Sequence, residues 1–125
     1  MPFLPSAYSA FSAVCPVEFK MKFLAIERPV AGATPEAMKP LLKAEARQVW
    51  ELQRAGVLRE IYFTPAHDAV LVLECADKEV AEEALNNLPL VRGNQIRFEV
   101  IALLPYTGFE RLFAAETPRG SHSTL

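Results

Sequence analysis

The sequence predicts an α+β domain in which four strands and two helices follow one another in the order β-α-β-β-α-β. Two observations lead to this prediction. Four stretches have the β-branched, aromatic and apolar residues of strands, and two stretches between them have apolar residues at helical spacing. The length of 125 residues, with 51% hydrophobic and 22% charged residues, is that of one domain with a core of its own.

The first strand is predicted over residues 20–28, because residues 23–26 form an unbroken apolar run. The first helix is predicted over residues 34–55. It opens with a Thr-Pro-Glu triplet, in which the threonine can cap the helix and the proline suits its first turn. Gly56 is a typical left-handed stop. Pro40 lacks a backbone donor, so we expect it to bend the first turns.

The second half of the chain contains the other elements. Strands are predicted over residues 57–64 and 69–75, the first rich in β-branched and aromatic residues and the second almost uniformly apolar. A helix is predicted over residues 77–88. Asp77 caps its start, and Pro89 ends it. A last strand is predicted over residues 95–104. Aromatic and leucine residues at helical spacing in residues 109–113 predict a short helix that docks on the domain.

This element order is the ferredoxin-like arrangement, one antiparallel four-stranded sheet with both helices on one face. The third and fourth strands are apolar on both faces, since residues 70–73 and 100–104 include no polar side chain. The face without helices therefore needs a cover. We expect a second copy of the chain to supply it, which predicts a homodimer through the sheet face, a dimeric α+β barrel. Whether dimers assemble further stays open.

We divide the chain into an apolar N-terminal extension of residues 1–19, a single domain of residues 20–115 that includes the short C-terminal helix, and a flexible tail of residues 116–125. Residues 1–17 carry no charged side chain, so the basic segment that opens a signal peptide is missing. We therefore expect a cytoplasmic protein.

Composition excludes several classes of function. The net charge of −2 leaves no basic excess to neutralise phosphates, so we expect no nucleic-acid partner. The longest apolar runs are far shorter than a membrane span. Two cysteines make neither a disulfide framework nor a zinc site, and no phosphate-binding loop or dinucleotide fingerprint occurs. We expect a small-molecule substrate and no metal or cofactor.

The core-facing stripe of the first helix is apolar except at its centre. Its members recur four and three residues apart: Met38, Leu42, Glu45, Val49 and Leu52. A carboxylate is costly to bury without a partner, and desolvation raises its pKa. Glu45 is therefore a candidate general base or acid. The alternative is a structural role, in which Glu45 pairs with a cation from the sheet, such as Arg59, or with a tyrosine.

Two further residues are candidates for catalysis beside Glu45. The second strand runs back alongside the first helix, and the rise per residue of each places Ile61 or Tyr62 level with Glu45. If Tyr62 faces the helices, its hydroxyl is a partner for the carboxylate; otherwise it is an ordinary strand aromatic. His67 lies in the turn between the second and third strands. It is either a proton carrier or substrate contact at the mouth of a pocket, or an exposed turn residue.

Three residues are predicted to contact substrate: Glu27, Trp50 and Arg59. Glu27 ends the first strand and would lie at the pocket rim. Trp50 lies at the edge of the helical stripe. The alternatives are a solvated strand end for Glu27 and ordinary packing for Trp50.

In its order of motifs, the chain resembles the muconolactone isomerase family of the dimeric α+β barrel superfamily, over about residues 21–105. The resemblance is carried by Met21-Lys22-Phe23, Thr34-Pro35, Glu45 at the family's helical glutamate, Leu52-Gln53-Arg54 with Gly56, His67, Leu88-Pro89-Leu90 and Phe98-Glu99-Val100. The spacing from Thr34 to His67 is free of gaps.

The resemblance implies a cofactor-free proton shift in an unsaturated lactone. A base removes a proton beside the ring oxygen and returns it two carbons away, through a dienolate. It implies that Glu45 is the proton shuttle, and that Tyr62 and His67 orient the substrate or contact its oxyanion. The chain departs from the family after Leu-Pro-Leu, where residues 91–94 replace aromatic and proline residues, so the substrate need not be muconolactone.

Two other functions remain open from the sequence. One is a cofactor-free monooxygenase of the same superfamily, which would activate an electron-rich ring by deprotonation in an apolar pocket. The other is a non-catalytic binding or assembly module, in which Glu45 is structural.

Overall fold

A computed structural model describes residues 20–114 of the protein, and the predicted N-terminal extension and tail lie outside these residues. The strands and helices in chain order are β1 (Met21–Pro29), α1 (Pro35–Met38), a 3₁₀ turn (Lys39–Leu41), α2 (Leu42–Arg54), β2 (Leu58–Phe63), β3 (Ala69–Cys75), α3 (Lys78–Asn86), α4 (Pro89–Arg92), β4 (Ile96–Leu103) and α5 (Glu110–Phe113).

The four strands form one antiparallel sheet in the order β2-β3-β1-β4, which confirms the predicted ferredoxin-like α+β fold. The central strand β1 pairs with both β3 and β4, so that Ala25 lies between Leu71 and Val100. The predicted bounds of β3 are confirmed, and the other three strands end within two residues of the prediction.

The first helix is interrupted at Pro40, where the sequence predicted a bend. The Thr34 side chain accepts a hydrogen bond from the Ala37 amide at 3.1 Å, and Pro35 opens α1. Pro40 lies in the 3₁₀ turn that separates α1 from α2, because its ring nitrogen cannot donate to the helical hydrogen-bond ladder. Gly56, at φ +81°, takes the left-handed conformation just after α2.

The second helical region differs from the prediction. The Asp77 side chain caps α3 by accepting from the Val80 amide at 2.9 Å, but α3 ends at Asn86 and not at Leu88. The prediction that Pro89 ends this helix is wrong, since Pro89 begins the single turn α4 instead. Proline favours a first helical position because its fixed φ suits the helix and the N–H it lacks has no partner there.

The predicted C-terminal helix forms as α5, but its docking is not observed. Its apolar side chains, Phe109, Leu112 and Phe113, are all exposed, the last of them to 83%. One turn of helix has too little apolar area on one face to hold it against the domain within the described chain.

The core lies between the sheet and the helices. Its fully buried side chains come from β1, β2, β3, α3 and the residue before α4: Phe23, Leu58, Leu71, Leu73, Leu85 and Leu88. Val49 and Leu52 of α2 pack against them from a half-buried position. The buried residues of each strand therefore mark the face of the sheet that packs against the helices. The residues between them along each strand point to the opposite face.

The other side of the sheet, here called the open face, carries apolar side chains without a helix over them. They are Leu24, Ile26, Val70, Val72, Ile101 and Leu103. The first four are partly exposed, and Ile101 and Leu103 are more exposed, at 41% and 37%. The prediction of a sheet that is apolar on both faces is confirmed. No helix among residues 20–114 is long and apolar enough to cross a membrane.

Candidate functional site

Glu45 lies in the first turn of α2, half-buried on the helix side of the sheet. Its Oε1 accepts a hydrogen bond from the Leu90 amide at 2.9 Å. The start of α4 explains this contact, because Leu88 has no side chain that can cap a helix and Pro89 has no N–H. The Leu90 amide is therefore the first donor of α4 that needs a partner, and Glu45 supplies it.

The surroundings of Glu45 raise its pKa above the ordinary value for glutamate. Burial has the largest effect, since it removes water from the ionised form, and the Leu90 amide acts in the opposite direction. The Glu27 carboxylate raises the pKa further, because a second negative charge disfavours ionisation. The direction of the shift agrees with the expectation from the helical stripe. The alternative in which Glu45 pairs with Arg59 is wrong, since Arg59 Nε lies 3.5 Å from Glu74 Oε1.

Glu27 lies near the end of β1, on the same face as the buried Phe23 and Ala25. Its Oε1 accepts a hydrogen bond from the Ala69 amide, the first residue of β3, at 2.7 Å. Glu27 is thus a held carboxylate on the helix side and not a freely solvated strand end. With Glu45 it forms a pair of carboxylates at one end of the sheet, called the carboxylate pair below.

His67 lies at the same end of the sheet. It is exposed in the β2–β3 turn at φ +71°, and its amide donates to the Thr64 carbonyl at 2.7 Å. Its ring meets the ring of Phe63 edge to face, with centroids 5.1 Å apart. Phe63 is directly opposite Ala69 in the strand pairing, and the Ala69 amide is the donor to Glu27. The aromatic pair therefore lies at the same end of the sheet as the carboxylate pair, with β3 between Phe63 and Glu27.

Tyr62 lies on the open face, so the expectation that its hydroxyl meets Glu45 is wrong. The cause is a bulge in β2 between Leu58 and Glu60, which shifts the register by one residue. Without it, Tyr62 would share the helix face with the buried Leu58, but with it Tyr62 pairs with Val70 of the open face. The Tyr62 hydroxyl donates to Glu60 at 2.9 Å, and this hydrogen bond raises the pKa of the phenol.

Arg59 and Trp50 also lie apart from Glu45. Arg59 is the extra residue of the β2 bulge, and its ion pair with Glu74 lies on the open face. Trp50 is 58% exposed, and five residues of helix turn it about 140° away from Glu45. Of the six predicted site residues, Glu27, Glu45 and His67 lie at the same end of the sheet.

Sequence reasoning missed the two backbone amides that hold the carboxylates. The Leu88-Pro89 pair contained a signal for one of them, because a helix that starts without a polar cap needs an acceptor from elsewhere. Phe63 was missed because its face depends on the bulge.

Cys75 is a buried thiol whose pKa burial raises to about 11, as expected for an unreactive cysteine.

A groove of about 140 Å³ lies on the same side of the sheet, between α3 and β4. It is lined by Glu82, Leu85, Asn86, Phe98 and Val100. Phe98 pairs with Glu27 across β1 and β4, so this groove ends one strand from the carboxylate pair. Residues 20–114 contain no group of three or more His, Cys, Asp or Glu side chains placed to hold a metal ion.

Comparison with known proteins identifies the fold. No protein-family model and no curated protein sequence matches the chain. Seven chains of solved structures match it. One is the crystal structure of muconolactone isomerase at 3.3 Å resolution, with a TM-score of 0.57 and 23% sequence identity, over 70% of this chain and 92% of that chain. The chain thus has a ferredoxin-like α+β fold that is similar to the fold of muconolactone isomerase.

Proposed function

We propose that the protein is a small cofactor-free isomerase, which moves a proton within an unsaturated lactone or a similar enolisable compound. The observation that carries this proposal is the half-buried Glu45 carboxylate, whose pKa is raised and whose Oε1 is held by the Leu90 amide. The similarity in fold to muconolactone isomerase supports the reaction class. The substrate stays unassigned at this stage.

The geometry suits one carboxylate acting in both directions. The Leu90 amide occupies Oε1, which leaves Oε2 of Glu45 as the oxygen that takes a proton. It removes the proton from the carbon beside the ring oxygen, and the electron pair moves through the double bond to the carbonyl as a dienolate. The same oxygen then returns the proton two carbons away. A raised pKa makes this carboxylate a stronger base than a solvated glutamate.

The dienolate needs a hydrogen-bond donor near its oxygen. His67 is a side chain that is able to supply one, since it lies exposed at the end of the sheet beside Phe63. We therefore propose that His67 contacts the carbonyl oxygen of the substrate. This scheme assigns the proton transfer to Glu45 alone; Glu27 holds the Ala69 amide through its Oε1, and its charge acts on Glu45.

The test follows isomerisation of unsaturated lactones by ultraviolet absorbance in the wild type and in Glu45→Gln. We expect the substitution to lower kcat by about 10²–10⁴, the usual contribution of a general base. Glu51→Gln is the matched control, because Glu51 lies on the same helix and pairs with the exposed Arg54. Folded wild-type protein without turnover, or full turnover in Glu45→Gln, would contradict the proposal.

A cofactor-free monooxygenase is the second candidate. The exposed aromatic pair of Phe63 and His67 beside the carboxylates favours it, because a flat electron-rich ring can stack there. Oxygen consumption on addition of phenolic compounds separates this reaction from an isomerisation, which consumes none.

We also propose that a second copy of the chain covers the open face. The apolar side chains of this face are partly exposed in the single chain, and a two-fold axis would pair the patch with itself.

A further inference from the structure

We infer that the site takes an uncharged ligand in preference to an anionic one, and that Glu27 determines this preference. The inference rests on the proposed function, because it names the substrate class of the same site. Its basis is the distribution of charge around the carboxylate pair.

The carboxylate pair has hydrogen-bond donors but no counter-ion. Glu27 accepts a hydrogen bond from the Ala69 amide at 2.7 Å, and Glu45 accepts one from the Leu90 amide at 2.9 Å. These neutral donors stabilise the carboxylates without cancelling their net charge. Within residues 20–114, no lysine or arginine nitrogen lies within 4.0 Å of either carboxylate.

The nearby cations are directed elsewhere. Arg28 pairs with Glu99 at 2.7 Å on the open face, and Arg59 pairs with Glu74 on that same side. On α2, Lys43 and Arg47 are two residues before and after Glu45. This spacing turns each of them about 200° around the helix from it. The lysine of the 3₁₀ turn and the arginine of α4 are exposed and make no ion pair with either acid.

Three aromatic side chains also lie at this end of the sheet: Phe63, His67 and Phe98. A ligand carboxylate placed here would lose water and meet two negative charges. An uncharged lactone, ester or phenol would not meet this repulsion. Glu27 has no part in the proton transfer proposed above, so its charge is available for discrimination between ligands.

The experiment uses two ligand pairs that differ in charge: muconolactone with its methyl ester, and benzoate with methyl benzoate. Each is titrated into the protein at pH 8, above the range in which histidines usually titrate. Binding is followed by NMR at the Ala69 and Leu90 amides. We expect the esters to bind about tenfold more tightly than the acids.

Glu27→Gln should reduce this preference and retain ester binding, because the glutamine oxygen can still accept from the Ala69 amide. Glu60→Gln is the control, since Glu60 is an acid of the open face, and it should leave the preference unchanged. Acids that bind the wild type as tightly as their esters would overturn the inference. So would an unchanged preference in Glu27→Gln, or the absence of binding by all four ligands. A lactone ester that binds without isomerising would contradict the proposed reaction and leave this inference standing.

Discussion

At the scale of single residues, Glu45 is less stable as an ion in the folded chain than in the unfolded chain. Its folded pKa is raised, so the folded state binds the proton more tightly. Below the ordinary pKa of about 4.5 both states are protonated and no penalty exists. As the pH rises through the folded pKa, the ionised side chain lowers the stability of the fold. The pKa shift on which the proposed proton transfer rests therefore opposes stability.

We predict that Glu45→Gln increases the free energy of unfolding at about pH 7. The gain should be less than about 1 kcal/mol, because part of the side chain remains in water and screens the effect. At about pH 4 the gain should disappear, since the wild-type carboxyl is then largely protonated. Urea denaturation of the wild type and the variant at the two pH values measures the gain and its disappearance. A variant that is less stable than the wild type near pH 7 would refute this account of burial.

A second prediction concerns the coupling within the carboxylate pair. Glu27→Gln should lower the pKa of Glu45, because it removes the neighbouring negative charge that raises it. The ¹³C chemical shift of the Glu45 carboxyl across a pH titration reports this value directly. Glu60→Gln should leave it unchanged, since Glu60 is on the open face. A Glu45 pKa that stays constant or rises in Glu27→Gln would show that the two acids do not interact.

At the scale of elements, the start of α4 depends on a side chain from another helix. Glu45→Ala removes the acceptor of the Leu90 amide, and Glu45→Gln retains one. We therefore expect hydrogen exchange at the Leu90 amide to become about fivefold faster in the alanine variant, the effect of losing a hydrogen bond worth about 1 kcal/mol. Exchange in the glutamine variant should stay close to wild type. Equal exchange in the alanine and glutamine variants would show that Glu45 does not hold α4.

The elements also show how far the sequence predicts the structure. The spacing of apolar residues predicted the order of strands and helices, because burial on one face determines both periods. The bounds of β3 followed from its uniformly apolar composition. Pro40 predicted where the first helix is interrupted. These features depend on local residue types, which a single sequence displays.

The candidate site was only partly predictable, for a physical reason. One extra residue at the β2 bulge moved Tyr62 to the open face and Phe63 to the helix face. No residue near Arg59 predicts a bulge, because the register of β2 depends on its pairing with β3. The amide partners of Glu27 and Glu45 come from segments 42 and 45 residues away, so they too depend on the assembled sheet and helices.

At the scale of the whole molecule, the open face predicts association. We expect the protein to sediment as a dimer at micromolar concentration. Val72→Lys should yield a monomer, because it places a charge in the middle of the apolar patch, opposite Leu24 of the central strand. Val80→Lys is the control, since Val80 is a partly exposed apolar residue of α3 on the opposite side of the sheet. A wild-type monomer, or a Val72→Lys variant that remains dimeric, would contradict this interface.

The long-range hydrogen bonds of the two carboxylates have a consequence for the synthesis of the chain. Glu45 leaves the ribosome 45 residues before the Leu90 amide that will hold it, and Glu27 precedes Ala69 by 42. Until those segments emerge, neither acid can form its hydrogen bond. A nascent chain that ends before Ala69 therefore lacks both amide partners, and one that ends before Leu90 still lacks the partner of Glu45.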